Sequence, residues 1–176
     1  MYGSLGCHEF FGEPTLNLTS ERRILGLDPG LTYTGWAVIS VHHLDRFVCE
    51  ACGRIQTSAQ QSVAVRLVHI HDALLRVCQA WSPHAAAIEQ IFVNSNPASA
   101  LKLGLARGVV LMTPASCGIP VTEYSANTVK KSVTGNGHAS KVQVLQMLKG
   151  IFNMTPSSYD SSDALAVALC HRFHQK

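Results

Sequence analysis

From Gln61 onward the apolar residues of this 176-residue chain change period, and that switch limits the folds open to it. Val63, Leu67, Ile70, Leu74, Val77, Cys78 and Trp81 recur at helical spacing and give one apolar face. Before them lie three strand-like runs, Arg23 to Asp28, Gly35 to Val41 and Phe47 to Gln56, joined by the short turn-rich connections Pro29-Gly30 and His43-Leu44-Asp45. Such runs predict an antiparallel meander. Next come a short apolar strand, His84 to Glu89, a polar loop at Asn94-Ser95-Asn96-Pro97, a helix over Ala98 to Ala115 and a strand over Ile119 to Glu123. Helices are expected over Ala126 to Val133, Ser140 to Phe152 and Ser158 to Phe173. This order predicts an α/β chain with a mixed five-stranded sheet and helices on both faces.

With 47% hydrophobic residues the chain has material for one ordinary core, and two domains would be cramped. Residues 21–176 are expected to form a single domain, and residues 1–20 a disordered N-terminal extension. The start of the chain has neither a basic segment leading into an apolar one nor an acid-poor, Arg-rich transit pattern. No apolar run approaches the roughly 18 residues of a membrane helix. A cytoplasmic location is the resulting expectation. The six cysteines are scattered and are expected to be buried thiols. Cys49 and Cys52 form an isolated C-x-x-C, but residues three apart on a strand face opposite sides, which argues against a zinc site.

Two apolar strands end in a carboxylate. Ile24-Leu25-Gly26-Leu27 runs into Asp28 before Pro29-Gly30, and Ala85-Ala86-Ala87-Ile88 runs into Glu89. A carboxylate beside a buried strand is costly to desolvate unless it is paired or holds a metal. Asp28 could instead bond its own turn, and Glu89 could be a solvated strand end. Asp160 and Asp163, three apart at the start of the last helix, project from one face. Here too a plainer role is open, because Ser157-Ser158-Tyr159-Asp160 fits a capping box and acids favour a helix N-terminus. If the strands of Asp28 and Glu89 are neighbours and the last helix crosses them, all four acids meet. Such a cluster repels itself unless a cation resolves it. Oxygen donors without a histidine or thiolate set favour Mg²⁺ or Mn²⁺, and a pair of such ions suits phosphodiester hydrolysis.

Four stretches, ILGLDPGLTYTGWAV, AAIEQIFVNSNPASALKLGLARG, VTEYSANTVKKSVTGNGHASKVQV and DSSDALAVAL, resemble in order the motifs of the bacterial RuvC Holliday-junction resolvases. The likeness runs from Arg23 to His171. It implies a ribonuclease H-like fold, a homodimer and Mg²⁺-dependent cleavage of four-way junction DNA, leaving 5′-phosphate nicks, with the RuvA/RuvB branch-migration complex as partner. The family's acidic tetrad falls on Asp28, Glu89, Asp160 and Asp163. Two ions would then serve each site, one activating water and one stabilising the leaving 3′ oxygen.

The likeness also suggests DNA contacts. With the tetrad set aside, seven acids remain against 14 Lys and Arg residues, a balance suited to phosphate. Lys130 and Lys141 match family lysines near the active site. Lys131 and Lys102 are further candidates, with a solvated helix face as the alternative. Phe92, in the loop after Glu89, matches an aromatic expected to stack on bases at the junction centre. Core packing is the alternative there. Ala100, Gly104 and Gly108 allow close helix approach, either to a second subunit or to the chain's own sheet. The Gly135–Lys141 loop lacks the G-K-[ST] ending of a nucleotide-binding loop. His171 and His174, in the last helical turn, are expected to cap it. Other readings are a ribonuclease H-fold nuclease acting on RNA and a non-catalytic junction-binding module. An actin-like ATP-binding protein would need two such domains.

Overall fold

A computed structural model describes residues 22–42, 46–90 and 97–175. The expected N-terminal extension, the His43-Leu44-Asp45 turn, Phe92 and most of the polar loop after it lie outside the described residues. Strands β1 (Arg22–Asp28), β2 (Tyr33–His42) and β3 (Arg46–Gln56) form the meander. Helix α1 (Val63–Trp81), strand β4 (Ala85–Glu89), helix α2 (Pro97–Ser116) and strand β5 (Val121–Tyr124) follow. Helices α3 (Ala126–Thr134), α4 (Lys141–Phe152) and α5 (Tyr159–His174) complete the chain. Every expected element is present, with ends shifted by one or two residues.

The five-stranded sheet has the order β3-β2-β1-β4-β5. The meander strands are antiparallel, while β4 joins β1, and β5 joins β4, in parallel. Side chains alternate across each strand, so Leu25, Leu27 and Val38 enter a core with Ile70 and Leu74 of α1 and Val110 of α2. Ile24, Ala37 and Ile39 enter the opposite core, built with Val129, Leu148 and α5. No helix among the described residues is long and apolar enough to cross a membrane.

Helix α5 is the most enclosed element. Ser161, Ser162 and every residue from Ala164 to His171 are buried. Its Ala-rich sequence lets it lie directly on glycines of the sheet. A Cβ at Gly26 would fall 2.0 Å from the Ala164 carbonyl oxygen, and one at Gly35 2.0 Å from that of Asp160. Glycine is required at both positions by close approach rather than by backbone angle.

Two expectations for the cysteines are corrected here, and one of the two readings of α2 is removed. The β2/β3 register shifts between Val38 and Ile39, so Cys49 pairs with Ile39 and Cys52 with Ala37. Glu50 is the extra residue of a β-bulge, and the bulge turns Cys49 and Cys52 to the same face. Neither thiol is fully buried, and Cys117 is exposed. On α2, Gly104 and Gly108 meet nothing within 4 Å and face away from the sheet, beside the exposed Leu101, Leu105 and Met112. Packing of this small-residue stripe onto the chain's own sheet is thereby excluded.

Candidate nuclease site

The parallel pairing of β1 and β4 puts Leu27 opposite Ile88, so the next residues, Asp28 and Glu89, leave neighbouring strands at the same end of the sheet. Ligand sites in α/β sheets gather beyond such strand ends. Asp28 pairs with Gly35 on its other side, and Gly35 lies beneath the backbone of Asp160. The glycine contact is what lowers the first turn of α5 onto the sheet.

The cap of α5 differs from the expected one. Ser158 is the N-cap, its side chain accepts from the Ser161 backbone, and the Ser161 hydroxyl accepts from the Ser158 backbone. The reciprocal pair closes without Asp160, whose carboxylate is left for other partners. Asp160 faces Arg54, with Nη1 to Oδ2 at 3.8 Å, and Asp163 accepts from Lys141 Nζ at 2.8 Å.

The four acids act on one another. Burial, and then the charges of Asp163, Glu89 and Asp160, push the Asp28 carboxyl from 3.8 up to about 8. Glu89 is also raised, first by burial and then by Asp163, while Lys141 and Lys130 oppose the shift. Lys141 is held charged chiefly by its bond to Asp163. The carboxylates therefore converge, although among the described residues no three His, Cys, Asp or Glu side chains are closed around a single point as metal ligands. The set's donors are all carboxylate oxygens, and its excess negative charge at Asp28 is only partly offset by Lys141. Such a set fits a hard divalent cation.

Lys130 is half-buried on α3, and its charge reaches Glu89. Lys131 and Lys102 are exposed and form no ion pair with the four acids, Lys102 lying on α2 across the sheet from α5. Sequence reasoning missed Arg54. It lies opposite Gly35 in the β2/β3 ladder and stacks 4.4 Å over the Tyr33 ring. Its approach to Asp160 depends on register, which no local pattern around Arg54 reveals.

The expected cap at the end of α5 is half correct. His174 Nδ1 donates to the Cys170 carbonyl at 2.9 Å. His171 is instead buried and bonded to the Tyr124 hydroxyl at 2.9 Å. Burial, with His174 nearby, lowers its basicity, so it is not a cationic cap.

The family model described as crossover junction endodeoxyribonuclease RuvC matches residues 24–171. The chain is 54% identical over 155 residues to the protein of that name from Xanthobacter autotrophicus, covering 87% of this chain and 90% of the other. It is 50% identical to the Paramagnetospirillum magneticum protein, covering 87% and 92%. The Thermus thermophilus RuvC structure in complex with a Holliday junction substrate is similar with a TM-score of 0.82 and 34% identity, over 87% of this chain and 94% of that one.

Proposed function

The chain belongs to the crossover junction endodeoxyribonuclease RuvC family, and we propose that it resolves four-way DNA junctions by metal-dependent phosphodiester hydrolysis at the four-carboxylate site. The observation that carries the site assignment is the meeting of Asp28 and Glu89 at adjacent strand ends with Asp160 and Asp163 of α5. Bound Mg²⁺ or Mn²⁺ would supply water activation and stabilisation of the leaving oxygen. Asp28 and Glu89 would hold it from the sheet, and Asp160 and Asp163 from the helix. Arg54 steadies Asp160, and Lys141 and Lys130 bring positive charge to where a phosphate must approach three or more carboxylates. Incubation with a synthetic four-way junction, a matched duplex and an RNA hybrid, each with and without Mg²⁺, tests the whole reading. Equal cutting of all three, or cutting without a divalent ion, would sink it.

Lys141→Ala should weaken junction binding and reduce its salt dependence, since one fewer counterion is displaced. An unchanged salt slope measured by titration would assign Lys141 to Asp163 alone. Phe92→Ala should slow junction cleavage selectively through loss of about 1 to 3 kcal/mol of base stacking. A large fall in melting temperature without a junction-selective defect would instead make Phe92 a core residue.

A homodimer through α2 is proposed from its outward stripe, with Leu101 67% and Leu105 44% exposed around the open Gly104 and Gly108. A twofold pair would set two sites against two symmetric strands. Leu105→Glu should shift the species seen by light scattering to monomer and stop paired cleavage, and an unaltered mass would move the interface elsewhere. The reading also implies a cytoplasmic protein and contact with the RuvA/RuvB branch-migration complex, which co-purification of the three proteins would test.

A further inference from the structure

The bulge in β3 gives the chain a thiol pair that a regular strand could not form. Cys49 and Cys52 lie side by side on the face that packs against α5, and each thiol bears on the other's ionisation. The Ser157 backbone and the Ser161 side chain lie near enough to Cys52 to favour its ionised form. Ser161 closes the capping box of α5 and sits between Asp160 and Asp163 in the chain. Both cysteines are free, and neither residue is fully buried. Cys49 draws Cys52 down to about 7, toward the thiolate that reacts, while Cys49 is raised.

We propose that Cys49 and Cys52 are a peroxide-reactive dithiol that closes to an intramolecular disulfide and thereby disturbs the start of α5. The Cys52 thiolate attacks one oxygen of hydrogen peroxide. The S–O bond forms, the O–O bond breaks, and hydroxide leaves to take up the proton that Cys52 released. Cys49 sulfur then attacks the Cys52 sulfenic acid. The S–S bond forms, the S–O bond breaks, and the oxygen leaves as water with the Cys49 proton. Two thiols are oxidised by two electrons in all, and one peroxide is reduced to two waters.

The consequence for the site follows from the contacts. A disulfide withdraws the Cys52 sulfur from Ser157 and Ser161, and it tightens β3 two residues before Arg54, which faces Asp160. The first turn of α5 has no slack to absorb this, because Asp160 is seated on Gly35. Oxidation of the pair stands independently of the nuclease reading, whereas its effect on cleavage rests on that reading.

The test uses the full chain, treated with hydrogen peroxide, alkylated and analysed by intact mass and peptide mapping, with junction cleavage measured in parallel. Cys49 and Cys52 should be recovered cross-linked to each other. Cleavage should fall about tenfold or more, in keeping with small displacements of reacting groups, and should return with dithiothreitol. Cys49→Ser and Cys52→Ser should abolish both the cross-link and the reversible loss. Recovery of Cys49 and Cys52 as separate alkylated thiols in the peroxide-treated wild type overturns the proposal without recourse to any variant. A cross-link that leaves cleavage unchanged overturns the coupling to α5, as does a reversible loss that persists in both serine variants. A chain that forms the bridge but cuts no junction even when reduced supports the dithiol and fails the nuclease reading alone.

Discussion

Asp28→Asn and Glu89→Gln should each abolish junction cleavage, by at least about a hundredfold, while junction binding persists. Each substitution keeps the shape of the side chain and removes one negative charge. At Asp28 that charge is opposed by burial and by three other carboxylates, so the position is unfavourable to an anion unless a cation is present. On the proposed reading, phosphate contacts would come from other groups, Lys141 and Lys130 among them, which these substitutions leave in place. Gel-shift binding beside single-turnover cleavage separates the two effects. Loss of binding together with cleavage in a folded variant would argue that the carboxylates organise the DNA surface rather than the chemistry.

The second large effect concerns pH. With no divalent ion present, the folded chain keeps the Asp28 proton to about pH 8, whereas the unfolded chain gives it up near 3.8. Between those values the folded state binds more protons, so raising the pH favours unfolding. The contribution is full below about pH 4 and is lost as the pH rises through about 8. Asn at this position does not titrate, so the melting temperature of Asp28→Asn minus that of the wild type should grow across this window. The slope is at most about 1.4 kcal/mol per pH unit, and each kcal/mol is about 2 to 4 °C for a domain of this size. Because metal binds the ionised carboxylate, Mg²⁺ should raise the wild-type melting temperature more at pH 8 than at pH 5. Parallel melting curves for the two proteins, with and without Mg²⁺, would mean that Asp28 is ionised without help.

Much of this site was legible because its signals are local. An apolar strand that ends in an acid is visible in Asp28 and Glu89, and their adjacency follows from a parallel β4 joining β1. The features that escaped depend on register. Nothing in Cys49-Glu50-Ala51-Cys52 marks Glu50 as an extra residue, since a bulge exists only relative to the partner strand. Arg54 acquires its role from Gly35 across the ladder, and His171 loses its expected charge because the fold buries it, with His174 nearby. At α5 the serine-rich run reads as a capping box from Ser157 to Asp160, whereas the fold uses the pair one residue further on. The choice of Ser158 with Ser161 decided whether Asp160 capped the helix or remained available.

The enclosure of α5 from Ala164 to His171 sets how the assembled site can be lost. Most helices that present functional groups can fray, so their amides exchange with solvent while the rest of the molecule stays folded. This stretch has no such route short of lifting off the central strand, since its backbone rests on the glycine of β1. Asp163 is rooted one residue before it. The lifetime of the inner carboxylate's position is then the lifetime of the native state itself, and warming should remove activity together with the fold rather than ahead of it.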